Sequence, residues 1–222
     1  MLCHRIYENT NIIMYMYKED STMSKVITVN REFESAGNEI AQAVAKKLDI
    51  PYYDRFLITA VAENNGIPVE SAEKGDEKMA SRFQYSEAQA AFFYSATKSP
   101  LPTTAQVAHA QFDLIKEIAK EGPCVIVGRC AGHVLKEDGQ KVINIFVHAG
   151  TEQRTRRAME NLKLSEADAA KILKQTDKSR RAYHKNYTGH DWDDLDQYDI
   201  ILNTDRVSFD ECVEVICSLY NA

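Results

Sequence analysis

The chain has 222 residues, 44% of them hydrophobic, and its 33 acidic and 27 basic side chains give a formal net charge of −6. This length and composition suit one domain with a sizeable core. The acidic balance argues against a general nucleic-acid or membrane-surface binder, because both need an excess of Lys and Arg. No apolar run approaches the roughly 20 residues that span a bilayer, and no signal-peptide pattern is visible, so we expect a cytoplasmic protein.

The five cysteines include no CxxC pair and no metal-binding spacing. In a cytoplasmic protein such cysteines are expected to be reduced and structural. Cys124 and Cys217 stand among apolar residues, which predicts buried thiols.

Residues 1–22 show no clear hydrophobic period and precede a second methionine, Met23. We interpret them as an N-terminal extension ahead of a single domain over residues 23–222. Two explanations stay open: an upstream start codon, or an ordered segment that packs as an added strand or a partner contact. A homo-oligomer is compatible with the second.

The first elements of the domain are a strand, a loop and a helix. An apolar strand over residues 24–30 runs into a short polar turn, and the helix predicted over residues 37–48 repeats Ile40, Val44 and Leu48 on one face. A short strand over residues 50–54 follows. We interpret residues 55–103 as a helical insert or lid-like arm, because turn signals and prolines interrupt them.

The rest of the chain alternates strands and helices. A helix over about 103–120 ends at a Gly-Pro stop, and residues 124–128 and 142–147 are β-branched runs typical of strands buried on both faces. Further helices are predicted within 129–140, from Thr151, from Ser165 to about Tyr187, and from Ser208, with a last strand over 198–203. Five strands alternating with helices predict a doubly wound parallel α/β sheet.

The turn after the first strand is a candidate phosphate-binding loop. Consecutive backbone N–H groups and the positive end of the next helix bind anions without any particular side chain, and Arg31 adds a charged donor. Against this, Glu34 and Glu39 put like charge near the phosphate, at a cost of about 1–4 kcal/mol each unless they are paired. Only Gly37 is expected to adopt strained geometry without cost. The candidate donor-binding residues are Arg31, Glu34, Ser35, Ala36, Gly37, Asn38 and Glu39.

Two other strand ends carry polar residues, Arg129 after the strand at 124–128 and His148 after the strand at 142–147. Ligands of parallel sheets bind beyond the carboxyl ends of the strands. Each turn alone has an ordinary structural explanation, and together they favour a site.

A basic cluster is the second functional signal, since arginines near strand ends stabilise phosphoryl oxygens during transfer. Asp177 is expected to pair with Arg180 or Arg181. The alternative is a solvated helix face. The cluster comprises Arg154, Arg156, Arg157, Lys178, Arg180, Arg181 and Lys185.

The segment 187–199 carries five aspartates and the only tryptophan, Trp192. Acidic side chains bind Mg²⁺ when they converge on it. We favour a solvated acidic loop capped by Trp192. The histidines have no HxxxH or HExxH spacing, so no residue is assigned as a metal ligand.

Residues 26–58, 122–135, 142–159 and 177–216 together resemble the cytidylate kinase-like proteins, a branch of the P-loop nucleoside monophosphate kinases. The Gly-Arg pair ending in Arg129 and the run 177–187 are the most specific parts. The resemblance implies a three-layer kinase fold, a donor loop at residues 31–39, an acceptor arm around 55–105 and a lid around 154–190. It also implies ATP as phosphoryl donor together with Mg²⁺.

Roles follow from the same resemblance. Arg129 corresponds to the acceptor-phosphate arginine, with Asp54 and Arg55 as further acceptor-side residues. The lid and catalytic candidates are Arg154, Arg157, Arg180 and Arg181.

The loop departs from the family pattern. Asn30, Glu34 and Ala36 replace a serine and two glycines, and Gly37 stands where ordinary cytidylate kinases have the loop lysine. Glu39 stands near their magnesium-binding hydroxyl, and Cys130 replaces the acceptor-reading aspartate.

Two functions are compatible with this sequence. One is a phosphotransferase that moves the γ-phosphate of a nucleoside triphosphate to a small phosphorylated or hydroxylated acceptor, such as a nucleoside monophosphate. The other is a catalytically inactive kinase-fold module, or an oligomeric scaffold, that binds nucleotides or anions.

Overall fold

The computed structural model describes residues 25–54 and 104–222. Within them a five-stranded sheet has the order β2-β3-β1-β4-β5, and every neighbouring pair is parallel. The predicted fold class is confirmed. The strands are β1 (Val26–Arg31), β2 (Tyr52–Tyr53), β3 (Val125–Val127), β4 (Val142–His148) and β5 (Ile200–Asn203).

Six α-helices and one 3₁₀ turn, Leu195–Gln197, lie in the same part of the chain. Ser165 and Ser208 cap the last two helices as predicted, and the Ser208 cap is a full capping box with Glu211. The helices are α1 (Gly37–Leu48), α2 (Thr104–Glu121), α3 (Ala131–Glu137), α4 (Thr151–Leu162), α5 (Glu166–Thr188) and α6 (Phe209–Asn221).

Two apolar layers cover the two faces of the sheet. Ile27 and Val29 of β1 pack against α1 and α6, whereas Val26, one residue away, packs with α2 and α3. Because strand side chains alternate between faces, a strand covered on both sides has mostly apolar residues on both faces. This explains why the buried strands show no alternation in sequence.

One polar pair crosses the centre of the sheet. Thr28 Oγ1 donates to Asn144 Oδ1 at 2.8 Å, and these residues face each other in the register of β1 and β4. The Asn144 amide also donates to the carbonyl of Gln197 at 2.7 Å. A Cβ on Gly132 would overlap the Asn144 side chain, so α3 can approach only through a glycine.

Several predictions fall outside the described residues: the N-terminal extension at 1–22, Arg55, and the acceptor arm up to residue 103. The four cysteines in the described part are free and buried, including Cys124 and Cys217 as predicted. No helix in that part is both long enough and apolar enough to cross a membrane.

Candidate functional site

A cavity of about 480 Å³ opens at the carboxyl ends of β1 and β3. Its walls are the loop 30–39, Asp54, the turn 127–130, one face of α5 and Trp192. The cavity therefore brings together the whole predicted donor loop, Asp54, Arg129 and Arg180. Arg154, Arg157 and Arg181 are not among its lining residues.

The loop keeps its shape with left-handed residues that are not glycines. Glu34 has φ 59° and Ala36 has φ 68°, whereas Gly37 is the first residue of α1 and has no positive φ. The left-handed conformations therefore fall on two residues other than Gly37, the one loop residue that could adopt them without cost. Each such residue costs roughly 1–2 kcal/mol.

Ser35 holds the centre of this loop. Its hydroxyl lies 2.9 Å from the carbonyl of Glu32 and 3.0 Å from that of Val147, and its own carbonyl accepts from Thr204 Oγ1 at 3.0 Å. Ser35 is 1% exposed. These contacts to β4 and to the residue after β5 fix the backbone that a strained loop needs.

The loop ends at the N-terminus of α1, which has no side-chain cap. Ala36 occupies the N-cap position and no side chain bonds to the first turn from there. The first backbone N–H groups of a helix have no partner within the helix. Such groups, together with the helix dipole, can bind an anion, and here they lie at the cavity wall.

The two loop glutamates are paired with residues of α4. Glu34 accepts a hydrogen bond from Asn161 Nδ2 at 2.8 Å, and Glu39 pairs with Arg157 Nη2 at 3.0 Å. The ion pair with Arg157 reduces the electrostatic penalty that Glu39 poses to phosphate binding, whereas the neutral Asn161 amide holds the Glu34 carboxylate in place.

Arg154 lies buried beneath the loop and is fully engaged. Its Nη1 pairs with Asp177 at 2.6 Å and donates to the carbonyl of Phe33 at 3.1 Å, and its Nε lies 3.3 Å from Glu32. Asp177 also accepts from the backbone N–H of Phe33 at 2.8 Å. Asp177 was expected to pair with its sequence neighbours Arg180 or Arg181; the ion pair that it forms joins α5 to α4 instead.

Two arginines of α5 contact the loop or the acidic segment. Arg180 donates to the carbonyl of Arg31 at 2.9 Å and lies over the ring of Phe33 at 5.7 Å. Arg181, whose side chain is 45% exposed, lies 5.3 Å from the ring centre of Trp192 and 3.7 Å from Asp193.

Arg31 and Asp54 form a polar cluster beside the head of α1. Arg31 Nε donates to Asn38 Oδ1 at 2.8 Å, and its Nη2 lies 3.6 Å from Asp54. Asp54 also accepts from Asn38 Nδ2 and from the Tyr52 hydroxyl, both at 3.3 Å. The cluster places one cation and one carboxylate at the cavity wall.

Arg129 enters the cavity from a strained turn. Gly128, Arg129 and Cys130 all have left-handed φ angles, 78°, 57° and 55°. The Arg129 guanidinium lies 5.6 Å from the ring centre of Tyr183. Burial lowers the pKa of Arg129, and the positive charge of Arg31 adds to this effect.

His184 and Tyr183 were not among the predicted site residues, although both line the cavity. His184 Nδ1 lies 3.9 Å from Cys130 Sγ, and its buried Nε2 has no hydrogen-bond partner among the described residues. Burial lowers the pKa of His184 to about 4 and raises the pKa of Cys130 to about 12. Both are therefore neutral near pH 7. Spacing on one helix face could have found His184, since it follows Arg180 by four residues.

The acidic segment is tied to the core by Trp192. This residue is 3% exposed and packs edge-on against Phe146, with ring centres 5.1 Å apart. Neighbouring aspartates pair with Lys185 and Arg181. Across residues 25–54 and 104–222, no three His, Cys, Asp or Glu side chains are grouped so as to hold a metal ion.

Comparison with known proteins finds a matching family and several relatives. Residues 26–206 match the model of the Cytidylate kinase-like family. Cytidylate kinases of Methanopyrus kandleri and Pyrococcus horikoshii are 28% and 34% identical over 108 and 92 residues, which are 46% and 41% of this chain and 56% and 46% of theirs. The chain thus spans about half the length of these curated relatives.

Solved structures share the fold at low sequence identity. An uncharacterized protein from Eubacterium ventriosum has a TM-score of 0.64 at 24% identity, and the shikimate kinase of Bacteroides thetaiotaomicron has 0.50 at 13%. Each comparison covers 89% of this chain and 99% of the other. The matched region contains the loop, the strained turn and the arginine-bearing helices, and the chain belongs to the Cytidylate kinase-like family.

Proposed function

We propose that this protein is a phosphotransferase that passes the γ-phosphate of a nucleoside triphosphate to a small acceptor, such as a nucleoside monophosphate. The observation that carries the proposal is a single cavity lined by the head of α1, Arg31 and Arg129. Backbone amides and two guanidinium groups around one space are what a phosphate chain and a second anion need. The cytidylate kinases among the relatives support the same reaction class.

The donor triphosphate, ATP in this proposal, lies along residues 31–39, with its phosphates on the amides at the start of α1. Mg²⁺ usually binds proteins through one or two carboxylates and the substrate's phosphates, without a complete protein cage. The carboxylate of Asp54 lines the cavity and is an oxygen donor that would fit it. Bound there, the metal ion would neutralise charge on the donor phosphates.

The acceptor lies near Arg129 and Asp54 in this proposal. Arg129 binds a phosphate group of the acceptor, and Asp54 orients its attacking oxygen. That oxygen forms a bond to the γ-phosphorus while the bond from this phosphorus to the bridging oxygen breaks, leaving the diphosphate. Positioning and charge neutralisation supply most of the rate in such reactions, so no covalent nucleophile is required.

The arginines of α4 and α5 divide into two roles. Arg180 lines the cavity and Arg181 is half-exposed beside it, so we assign both to the transferred phosphoryl group, together with Arg157 at the loop. Arg154 is a positioning residue, because its ion pair with Asp177 and its bond to the Phe33 carbonyl hold the loop from below.

The alternative is a nucleotide- or anion-binding module without turnover. The observation behind it is Gly37, which gives the loop no lysine. The other argument for it is repulsion of phosphate by Glu34 and Glu39, and the ion pair of Glu39 with Arg157 weakens this argument. Turnover decides between the two functions.

Trp192 gives a direct binding assay, since it is the one tryptophan of the chain and lines the cavity. We expect its fluorescence to change on titration with ATP and Mg²⁺, and a coupled ADP-release assay over a panel of nucleoside monophosphates to show acceptor-dependent turnover. Arg180→Gln should lower kcat at least about 10-fold. The control Arg156→Gln, at an exposed residue paired only within α4 to Glu152, should change neither signal.

Binding of ATP without turnover on any acceptor would support the alternative module. Absence of binding to ATP and to every monophosphate would contradict both functions.

A further inference from the structure

Arg31 and the residue at position 37 cannot both carry a side chain. A Cβ added to Gly37 would overlap the Cβ of Arg31 and would lie 3.0 Å from its Cγ and 3.2 Å from the Cβ of Val147. The Cβ of Arg31 is fixed by the backbone at the end of β1, so no rotamer relieves the overlap. Any residue other than glycine at position 31 therefore requires glycine at position 37.

The Arg31 side chain uses the space that this glycine leaves. Its Nε bonds to Asn38 at 2.8 Å in the first turn of α1. Its Nη1 lies 2.5 Å from where a Cβ of Gly128 would stand, and Gly128 also has a φ of +78°. The guanidinium thus lies between the head of α1 and the turn after β3, and both glycines keep that path open.

Two arginines, Arg31 and Arg129, line this part of the cavity. Arg31 lies 3.6 Å from Asp54, and its charge contributes to the lowered pKa of Arg129. A phosphoryl group bound between the two guanidinium groups would accept charged hydrogen bonds from both.

We propose that Arg31 replaces the phosphate-loop lysine, so that the cation comes from the first residue of the loop instead of from position 37. This rests on the proposed function and assigns its ligand: the terminal phosphoryl group of a nucleoside triphosphate, contacted from the side of the turn that bears Arg129. Ordinary phosphate loops place a lysine after their glycines to reach the β- and γ-phosphates. In this chain the cationic residue stands at the start of the loop and a glycine at its end, which reverses the usual order.

The test is a mutant cycle in the full chain, with Mg²⁺-ATP and inorganic pyrophosphate as probes. Arg31→Gln should weaken both ligands about 10-fold or more, as loss of a charged hydrogen bond predicts. Gly37→Lys alone should lower the melting temperature, because its Cβ overlaps that of Arg31. The double variant Arg31→Gly with Gly37→Lys should recover that temperature and part of the affinity. Arg156→Gln is the matched control and should leave both probes unchanged.

Two results would overturn the proposal. One is wild-type affinity for both probes in Arg31→Gln. The other is a double variant that melts and binds no better than Gly37→Lys alone. If the unmutated protein binds neither probe, the proposed function fails together with this assignment, whereas binding that ignores Arg31 overturns only the assignment.

Discussion

The ion pair of Arg154 and Asp177 is expected to be the strongest polar support of the phosphate loop. The side chains are 8% and 5% exposed, and Asp177 accepts both from Arg154 at 2.6 Å and from the Phe33 amide at 2.8 Å. Asp177→Ala removes both bonds and leaves the Arg154 cation with Glu32 at 3.3 Å. Loss of one partner of a buried pair costs about 3–5 kcal/mol.

Urea denaturation at pH 7 measures this loss in the free energy of unfolding. In a thermal melt, the same loss should lower the melting temperature by roughly 6–20 °C. The double variant Arg154→Met with Asp177→Leu should be less destabilised than the sum of the singles, because it removes both charges of the pair and leaves only the Glu32 carboxylate without its contact to Arg154. As a control, Glu152→Ala breaks the exposed pair with Arg156 and should cost under about 0.5 kcal/mol. A cost below about 1 kcal/mol for Asp177→Ala, or simple additivity of the two singles, would refute the reasoning.

Three further predictions concern the loop and the helix beside it. The pKa of His184 is about 4 in the folded chain against an ordinary 6.5, so the unfolded chain takes up the proton first. Stability should be full above pH 6.5 and fall by up to about 3 kcal/mol towards pH 4, and denaturation of His184→Gln across this range should show a smaller fall. Ala36→Gly should stabilise the chain by about 0.5–1 kcal/mol at its left-handed φ, whereas Ala41→Gly inside α1 should destabilise it by about 1 kcal/mol; equal signs in thermal melts would contradict this. Ser35→Ala should cost about 1–3 kcal/mol in urea denaturation, because the carbonyls of Glu32 and Val147 lose a buried donor.

The strands and helices could be predicted because their signals are local. The β-branched runs at β3 and β4, the serines before α5 and α6 and the repeat in α1 depend on neighbours a few residues apart. Only the ends moved: β2 is two residues long, and β5 begins at Ile200 instead of residue 198.

The site was harder to predict because its contacts join distant parts of the chain. The Arg154–Asp177 pair spans 23 residues and two helices, so helix spacing alone pointed Asp177 to the wrong arginines. From the sequence alone, Glu34 and Glu39 are expected to repel a phosphate group, because the residues that contact them are more than 100 positions away in the chain. Position 37 requires glycine because a Cβ there would overlap the Cβ of Arg31, and no pattern of residue types reveals this close approach.

The central claim is that backbone amides at the head of α1, with Arg31, bind a phosphate group although the loop has no lysine. A crystal structure with bound pyrophosphate and Mg²⁺ tests it most directly. We expect a phosphate group within hydrogen-bond distance of the amides of Gly37 and Asn38 and of the Arg31 guanidinium, with Glu34 and Glu39 still paired to α4. A structure with no phosphate at the head of α1, and with the carboxylates of Glu34 and Glu39 turned into that position, would contradict this claim.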